Sequence, residues 1–303
     1  MNTTRRSFLV SGCKLALTPA ALSITRFASA SAPTEGGLAD LSASSAIDAM
    51  KKGEMKAEAY MTALLDRAAR FSKLNAFRTL NREKALESAA MADRLRATGS
   101  PLGLLHGLPI PVKDSFNSAT LPTSNGTASM RDWVPRQDAT TLSLIISRGA
   151  LLMGKTNLHE MSFGWTSNND EFGAVLNPYD TSRVPGGSSG GSAVAVSARM
   201  APLALGEDTL GSIRVPASMC GVVGFRPTLG RYPSAGIMPL TNNKFDQPGP
   251  IARCVADIAL FDAAMLGQTS PVVAMPMNGT RIGVPQACSK VLIPMSTALS
   301  GQH

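Results

Sequence analysis

Apolar side chains recur at helical spacing in the residues that lead up to position 100. In three segments they fall three or four positions apart, and a glycine follows closely after the first and the last of these segments. Such stripes are typical of amphipathic helices that bury one face against a core. The predicted helices are residues 38–52, 56–71 and 82–97.

Beyond residue 100 the pattern changes to short apolar runs bounded by glycine and proline, which indicates buried strands. The predicted strands are residues 108–112, 150–154, 201–206 and 221–225. Helical patterns lie between and after them, at residues 139–148, 192–198 and 255–266. Because helices alternate with strands, we predict an α/β fold of stacked layers, built as one domain.

The first thirty residues differ from the rest of the chain. A pair of arginines, Arg5 and Arg6, is followed by an apolar stretch and by a cleavage site of small residues that ends at Ala30. This order is typical of a twin-arginine export signal. We therefore expect residues 1–30 to be cleaved after Ala30, with the twin-arginine translocase as a partner. The mature domain, residues 31–303, is expected in the periplasm.

The export signal also explains much of the basic balance of the chain. It carries four of the 29 basic residues and no acidic one, so its removal halves the net charge of +8. The remaining lysines and arginines are spread over helical patterns rather than clustered with aromatic residues. This distribution argues against a nucleic-acid partner.

Three short motifs match enzyme signatures by letter but fail on context. Residues 149–156 fit the phosphate-loop expression, yet four apolar residues of a predicted strand replace its flexible interior. Ser11 and Lys14 have the spacing of penicillin-binding enzymes, but they lie inside the export signal. Ser189 stands in a nucleophile-elbow pattern, whose chemistry needs a downstream histidine, and only the terminal His303 follows it.

Metal ligands are too scattered to predict a metal site. His106 and His159 lie beside apolar residues, so we expect them to support the structure rather than to bind a metal or cofactor. Cys220, Cys254 and Cys288 are far apart and form no C-x-x-C pair. We expect buried thiols rather than a disulfide framework.

Two glycine-rich loops carry serines, VPGGSSGGS at residues 184–192 and GEDTLGSIRVPAS at residues 206–218. A serine that attacks an amide needs a base, and where histidine is scarce a lysine held neutral can serve. Lys113 fits, because burial behind LPIPV would disfavour its ammonium form and lower its pKa by the roughly 3 units that action near neutral pH requires. A short helix after Ser212 would present N–H groups to a carbonyl oxygen.

Taken together, these residues resemble the amidase signature family. The resemblance rests on GGSSGG around Ser188, on GSIR around Ser212 at a distance of 24 residues, and on Lys113 in LHGLPIPVKD. It extends over about residues 38–285 and includes GKTNLHE, NPYD and CGVVGFRPTLGRYP, the last of which is most similar to indoleacetamide and mandelamide hydrolases. It implies an α/β/α layered fold around a central twisted mixed sheet.

The resemblance also implies a Ser-Ser-Lys triad. Ser212 would be the nucleophile that forms an acyl-enzyme, Ser188 the relay that follows a cis peptide bond, and Lys113 the base. The implied oxyanion hole consists of the backbone N–H groups of Thr209, Leu210, Gly211 and Ser212.

The expected activity is hydrolysis of a small-molecule carboxylic amide, with an aryl acetamide as the first expectation, to an acid and ammonia without a cofactor. Three alternatives stay open: an amidase for peptides or other amides, the transamidating subunit of a tRNA-dependent amidotransferase, and an inactive truncated remnant. The export signal disfavours the tRNA-dependent enzyme. A homodimer is kept as an expectation.

Two departures from the family pattern bear on activity. Leu210 stands where the family usually has a glycine before Gly211, which would narrow the turn if that position requires a positive φ. Relatives in the family continue well beyond residues 281–285. We therefore expect C-terminal strands of the sheet to be missing, which would expose apolar edges.

Overall fold

The structure is a computed structural model that describes residues 37–241, 244–271 and 278–279. The chain divides into two units, Met1–Pro271 and Val272–His303, and every element described below belongs to the first. The predicted export signal and residues 281–285 lie outside the described residues.

The helices follow the apolar stripes and begin at polar caps. Ser42 and Asn81 each precede a helix and accept a hydrogen bond from the backbone N–H three residues later, which pairs a group that the first turn leaves free. The α-helices are α1 Ala43–Lys52, α2 Ala57–Arg70, α3 Arg82–Ala97, α4 Thr140–Ser147, α5 Gly190–Ser197, α6 Arg214–Met219 and α7 Val255–Met265. Short 3-10 turns lie at Leu38–Asp40, Ser72–Leu74, Ala128–Met130 and Glu160–Ser162.

The described strands form a mixed sheet in the order β1-β3-β2-β4-β6-β5. They are β1 Phe77–Leu80, β2 Pro109–Lys113, β3 Leu151–Thr156, β4 Leu203–Asp208, β5 Val223–Gly224 and β6 Gln247–Ala252. The central strands β3, β2 and β4 run parallel, whereas β1, β6 and β5 are antiparallel to their neighbours. Every residue of β2, β4 and β6 is buried, so both faces of the sheet centre are covered.

Strand β6 was not predicted, because its sequence QPGPIA contains two prolines. It nevertheless pairs with β4 along its whole length and with β5 at its end. The carbonyl of Pro250 accepts from the N–H of Phe225, on the β5 side, so the ring nitrogens of Pro248 and Pro250 face away from β4. The prolines therefore cost no hydrogen bond between β6 and β4.

Helix α5 lies at the centre of the fold and is buried through Val196. It contacts β2, β3, β4 and β6, and its first two residues are glycines, which let the backbone come close to its neighbours. A Cβ on Gly191 would lie 2.3 Å from the carbonyl oxygen of Asn157. The glycines of GGSSGG thus bring the start of α5 against the sheet and hold the serines before it in place.

The predicted architecture is confirmed: the fold is α/β with a mixed central sheet. All the predicted helices and the four predicted strands are present within a few residues of their expected ends, and β1 and β6 are the additions. The strand predicted at 150–154 extends to Thr156, so Lys155 lies inside it rather than after it. Within the part of the chain described, no helix has the length and apolar character to cross a bilayer.

Candidate active site

Lys113 is the last residue of β2 and its side chain is fully buried. Its Nζ donates a hydrogen bond to Oγ of Ser188 at 2.8 Å, which joins two of the predicted triad residues. Burial lowers the pKa of Lys113, and the charge of nearby Glu207 partly opposes that effect. The direction is the one that a lysine acting as a base requires.

Ser188 lies in the loop before α5, and contacts on both sides hold the backbone of this loop in place. The peptide bond between Gly187 and Ser188 is cis, as the family resemblance implies. Ser167 supports the loop from outside: its Oγ donates to the carbonyl of Gly186 at 2.8 Å and accepts from the N–H of Gly190 at 3.1 Å. A Cβ on Gly190 would lie 2.2 Å from that Oγ, so the glycine is required there.

Ser212 lies in the turn between β4 and α6 and is only 5% exposed. Its carbonyl accepts from the N–H of Ser189 at 3.1 Å, which fastens the two serine loops side by side. Oγ of Ser189 donates instead to the carbonyl of Glu207. The structure therefore brings Lys113, Ser188 and the turn of Ser212 together.

Asp208 holds the Ser212 turn in shape. Its carboxylate accepts from the backbone N–H groups of Gly211, Ile213 and Arg214 at 2.8 to 3.2 Å. It also pairs with the guanidinium groups of Arg214 and Arg226. Burial alone would raise the pKa of Asp208, but the hydrogen bonds from Arg214 and from these N–H groups lower it overall.

The predicted oxyanion groups divide into two sets. The N–H of Gly211 is already used by Asp208, so it is not free for a substrate oxygen. Among the described residues, nothing accepts from the N–H groups of Thr209, Leu210 or Ser212. Of the four N–H groups predicted to form the oxyanion hole, these three remain available to a substrate oxygen.

Leu210 does not strain the turn. Positive φ falls on Gly211, at 124°, and Leu210 is not among the described residues with positive φ. Its side chain is 66% exposed and points away from the packed interior. The concern that leucine would narrow the turn is therefore not borne out by the backbone.

Comparisons with known proteins agree with this geometry. The Amidase family model matches residues 59–293, well over half of the chain. The chain belongs to the amidase family.

The relatives that the chain resembles are named for different activities. A glutamyl-tRNA(Gln) amidotransferase subunit of Thermobifida fusca is 41% identical over 82% of this chain and 49% of its own length. Indoleacetamide hydrolase of Rhizobium radiobacter is 38% identical over 79% of this chain and 50% of its own length. The solved peptide amidase of Stenotrophomonas maltophilia superposes with a TM-score of 0.72 at 35% identity, covering 81% of this chain and 51% of that one. The chain thus spans about half the length of the amidase relatives it matches.

A second buried lysine supports the segment that follows Lys113. Lys155 Nζ lies 3.1 Å from Oδ1 of Asp114 and donates to the carbonyl of Phe116 at 2.6 Å. It also donates to Oγ1 of Thr123 at 2.8 Å. The pair fixes the chain immediately after Lys113, whereas the sequence had suggested only that Lys155 follows the end of a buried strand.

Glu207 is the other group that sequence reasoning missed. It lies next to Asp208 at the end of β4, and its Oε2 is 3.6 Å from Nζ of Lys113. The signal was present, since acidic residues at the carboxyl end of one parallel strand meet the residues at the end of the next. The missing information was that β2 and β4 are neighbours.

The histidines and cysteines take supporting positions. His159 donates its backbone N–H to the carbonyl of Ser188 at 3.2 Å, and His106 Nε2 is 3.0 Å from the carbonyl of Ala92. Cys220 is buried, which raises its pKa to about 12, and Cys254 is half-buried. Among the described residues, no three potential ligands converge on a metal site.

Proposed function

We propose that the chain is an amidase that cleaves a carboxylic amide through an acyl-enzyme on Ser212, with Ser188 as relay and Lys113 as base. The observation that carries this proposal is the 2.8 Å hydrogen bond between Lys113 Nζ and Ser188 Oγ beside the Ser212 turn. Membership of the amidase family supports the reaction class. Because the chain spans about half of its relatives, the activity itself is part of the proposal.

The proton path in this proposal is the one that the family resemblance implies for these residues. Ser212 Oγ attacks the amide carbonyl while its proton passes to Ser188 Oγ, whose own proton passes to a neutral Lys113. The N–H groups of Thr209, Leu210 and Ser212 stabilise the negative oxygen that forms, and one such donor contributes about 2.7 to 4 kcal/mol. The proton on Lys113 then returns to the leaving amine, and water releases the acid from Ser212.

The substrate class we favour is an aryl acetamide. The similarity to indoleacetamide hydrolase supports it. So does Trp165, whose exposed ring lies close to Gly211 in the nucleophile turn and offers an aromatic surface beside the reacting carbonyl.

A second candidate is the amidotransferase reaction, since several similar relatives are subunits of glutamyl-tRNA(Gln) amidotransferases. Peptide amides are a third, on the likeness to the peptide amidase structure. A panel of indoleacetamide, phenylacetamide, a peptide amide and glutamine, scored for ammonia release, separates them. Fastest release from the aryl acetamides supports our choice, whereas release from glutamine or the peptide amide alone contradicts it.

The catalytic assignment is tested with a fluorophosphonate and mass spectrometry. We expect one phosphonate on the peptide that contains Ser212, no label in Ser212→Ala, and a rate at least about a thousandfold lower in Lys113→Ala, as for other triad deletions. Ser189→Ala, a change in the neighbouring loop, should keep labelling. A label on Ser189, or a folded protein that never reacts, would refute the assignment, and the latter result would favour an inactive remnant.

The export of this amidase is a separate proposal. The twin arginines Arg5 and Arg6 and the small residues up to Ala30 support a periplasmic location and the translocase as partner. Fractionation followed by N-terminal sequencing should give a mature chain that begins at Ser31. Full-length protein confined to the cytoplasm would contradict it.

A further inference from the structure

Glu207 is a buried carboxylate beside the base of the proposed triad. Its Oε2 lies 3.6 Å from Lys113 Nζ and accepts a hydrogen bond from Ser115 Oγ at 2.9 Å. Its Oε1 accepts from no described residue, and no other cation among the described residues forms an ion pair with it. A buried acid placed in this way has Lys113 as its charge partner.

The proposed reaction puts a positive charge on Lys113 at a point that water does not reach. A buried ammonium without a nearby anion is costly, and a carboxylate at this distance offsets the cost. We propose that Glu207 is a positioning residue that holds the ammonium form which Lys113 reaches on taking the serine proton, and that it thereby sets the pH range of acylation. This inference rests on the proposed role of Lys113 as base.

The other charged groups near the pair are already engaged. The charge of Asp208 also acts on Lys113, but its carboxylate is bound to Arg214 and to the backbone of the Ser212 turn. Asp246 influences both members of the pair and accepts hydrogen bonds from Thr209 Oγ1 and from neighbouring backbone. Burial lowers the pKa of His159, and the charge of Lys113 adds to that effect. Glu207 alone of the described carboxylates lies within ion-pair distance of Lys113.

The two groups oppose the effect of burial on each other. Burial lowers the pKa of Lys113, and the charge of Glu207 raises it. Burial raises the pKa of Glu207, and the charge of Lys113 lowers it. Replacement of Glu207 by glutamine therefore leaves Lys113 a weaker base that becomes neutral at lower pH.

The fluorophosphonate reaction measures this effect without a known substrate. The Ser212 Oγ–P bond forms, the P–F bond breaks, fluoride leaves, and the serine proton ends on Lys113 through Ser188. The rate constant of labelling, followed from about pH 5 to pH 10, rises as Lys113 loses its proton. Its midpoint reports the pKa of Lys113 in the free protein.

Glu207→Gln should move that midpoint to lower pH. A unit charge 3.6 Å away shifts a pKa by about 1 unit at the dielectric constant of water and by about 3 units at an effective value of 20. We expect a downward shift in this range, together with a several-fold lower rate on the plateau because the base is weaker. Glu207→Asp keeps the charge, so its midpoint pH and plateau rate should lie close to those of the wild type. The exposed Glu54→Gln should change neither the midpoint nor the plateau.

The outcomes are distinct. A lower plateau with an unchanged midpoint would mean a structural role only and would overturn the inference, as would an upward shift. Absence of labelling in the folded wild-type protein would refute the proposed function, and this inference with it. If Glu207→Gln does not fold, the double variant Lys113→Met/Glu207→Gln decides: recovered folding supports the charge pairing, because the buried lysine no longer needs a partner, and continued unfolding contradicts it.

Discussion

Replacement of Asp208 by asparagine should loosen the turn that carries Ser212. The carboxylate accepts from Gly211 N at 2.8 Å through Oδ1, and from Ile213 N at 3.0 Å and Arg214 N at 3.2 Å through Oδ2. The guanidinium of Arg214 donates to both oxygens at 3.0 Å. Asparagine is nearly the same size but has one oxygen, so the change removes acceptors without creating a cavity.

The loss of unfolding free energy depends on which hydrogen bonds asparagine can keep. The best orientation keeps the amide oxygen on Ile213 and Arg214 and turns the NH₂ group toward the N–H of Gly211, where two donors then face each other. A buried donor left unpaired costs about 1 to 3 kcal/mol, and hydrogen bonds to a charged acceptor are worth about 1.5 to 3 kcal/mol each. Because Arg214 is half-exposed, its share is discounted for solvent screening. We expect a loss of about 4 kcal/mol in unfolding free energy, from one unpaired buried donor and the weaker hydrogen bonds that remain.

Urea unfolding at pH 7 measures the loss, and fluorophosphonate labelling of Ser212 should slow by at least about tenfold in the folded variant. The pKa of Asp208 is lowered in the fold, so its contribution is present above the usual aspartate value of about 3.9 and is lost as pH falls below it. The difference between wild type and variant should therefore shrink in acid. Asp180→Asn, in an exposed loop with similar local partners, is the control and should leave stability near the wild-type value. A loss for Asp208→Asn below about 1 kcal/mol would refute the reasoning.

Three further changes test the packing around the site. Gly191→Ala should cost about 3 kcal/mol or more in a chemical melt, because its Cβ would lie 2.3 Å from the carbonyl oxygen of Asn157; a normal melt would show that helix α5 can shift. Leu210→Gly should alter stability by under about 1 kcal/mol and labelling by no more than a few-fold, since the leucine has neither positive φ nor burial; a large gain in labelling would restore the concern about this residue. Lys155→Met should cost about 3 to 5 kcal/mol by leaving Asp114 buried without its cation, and adding Asp114→Asn should recover part of that loss in the same melt.

The sequence was most informative where one residue type is required by local geometry. A Cβ on Gly190 or Gly191 would lie 2.2 to 2.4 Å from neighbouring atoms, so glycine is required there and the loop could be recognised from its letters alone. Buried parallel strands such as β2 show continuous apolar runs, and these also were predicted. In both cases the local sequence was enough to predict the structure.

Features that depend on strand pairing were harder to predict. Strand β6 is permitted by the direction in which Pro248 and Pro250 face, which follows from its place between β4 and β5. The engagement of Gly211 by Asp208 narrowed the oxyanion prediction, and that contact is set by the shape of the turn rather than by its composition. The letters of GEDTLGS do not show which acidic side chain faces which strand.

The neighbouring acids Glu207 and Asp208 show why that information matters. Consecutive side chains of a strand point to opposite sides, so two carboxylates that are adjacent in sequence enter different surroundings. Glu207 faces Lys113 and one hydroxyl, and burial raises its pKa; Asp208 faces a guanidinium and three N–H groups, and its pKa is lowered. Asp208 is therefore a fixed charge that shapes the Ser212 turn, whereas Glu207 can respond to the proton that we propose moves onto Lys113. Exchange of the two side chains keeps both charges but gives each position a carboxylate of the wrong length, and at position 208 the longer side chain disturbs the three N–H contacts of the Ser212 turn. Glu207→Asp/Asp208→Glu should therefore cost far more labelling activity than Glu207→Asp alone.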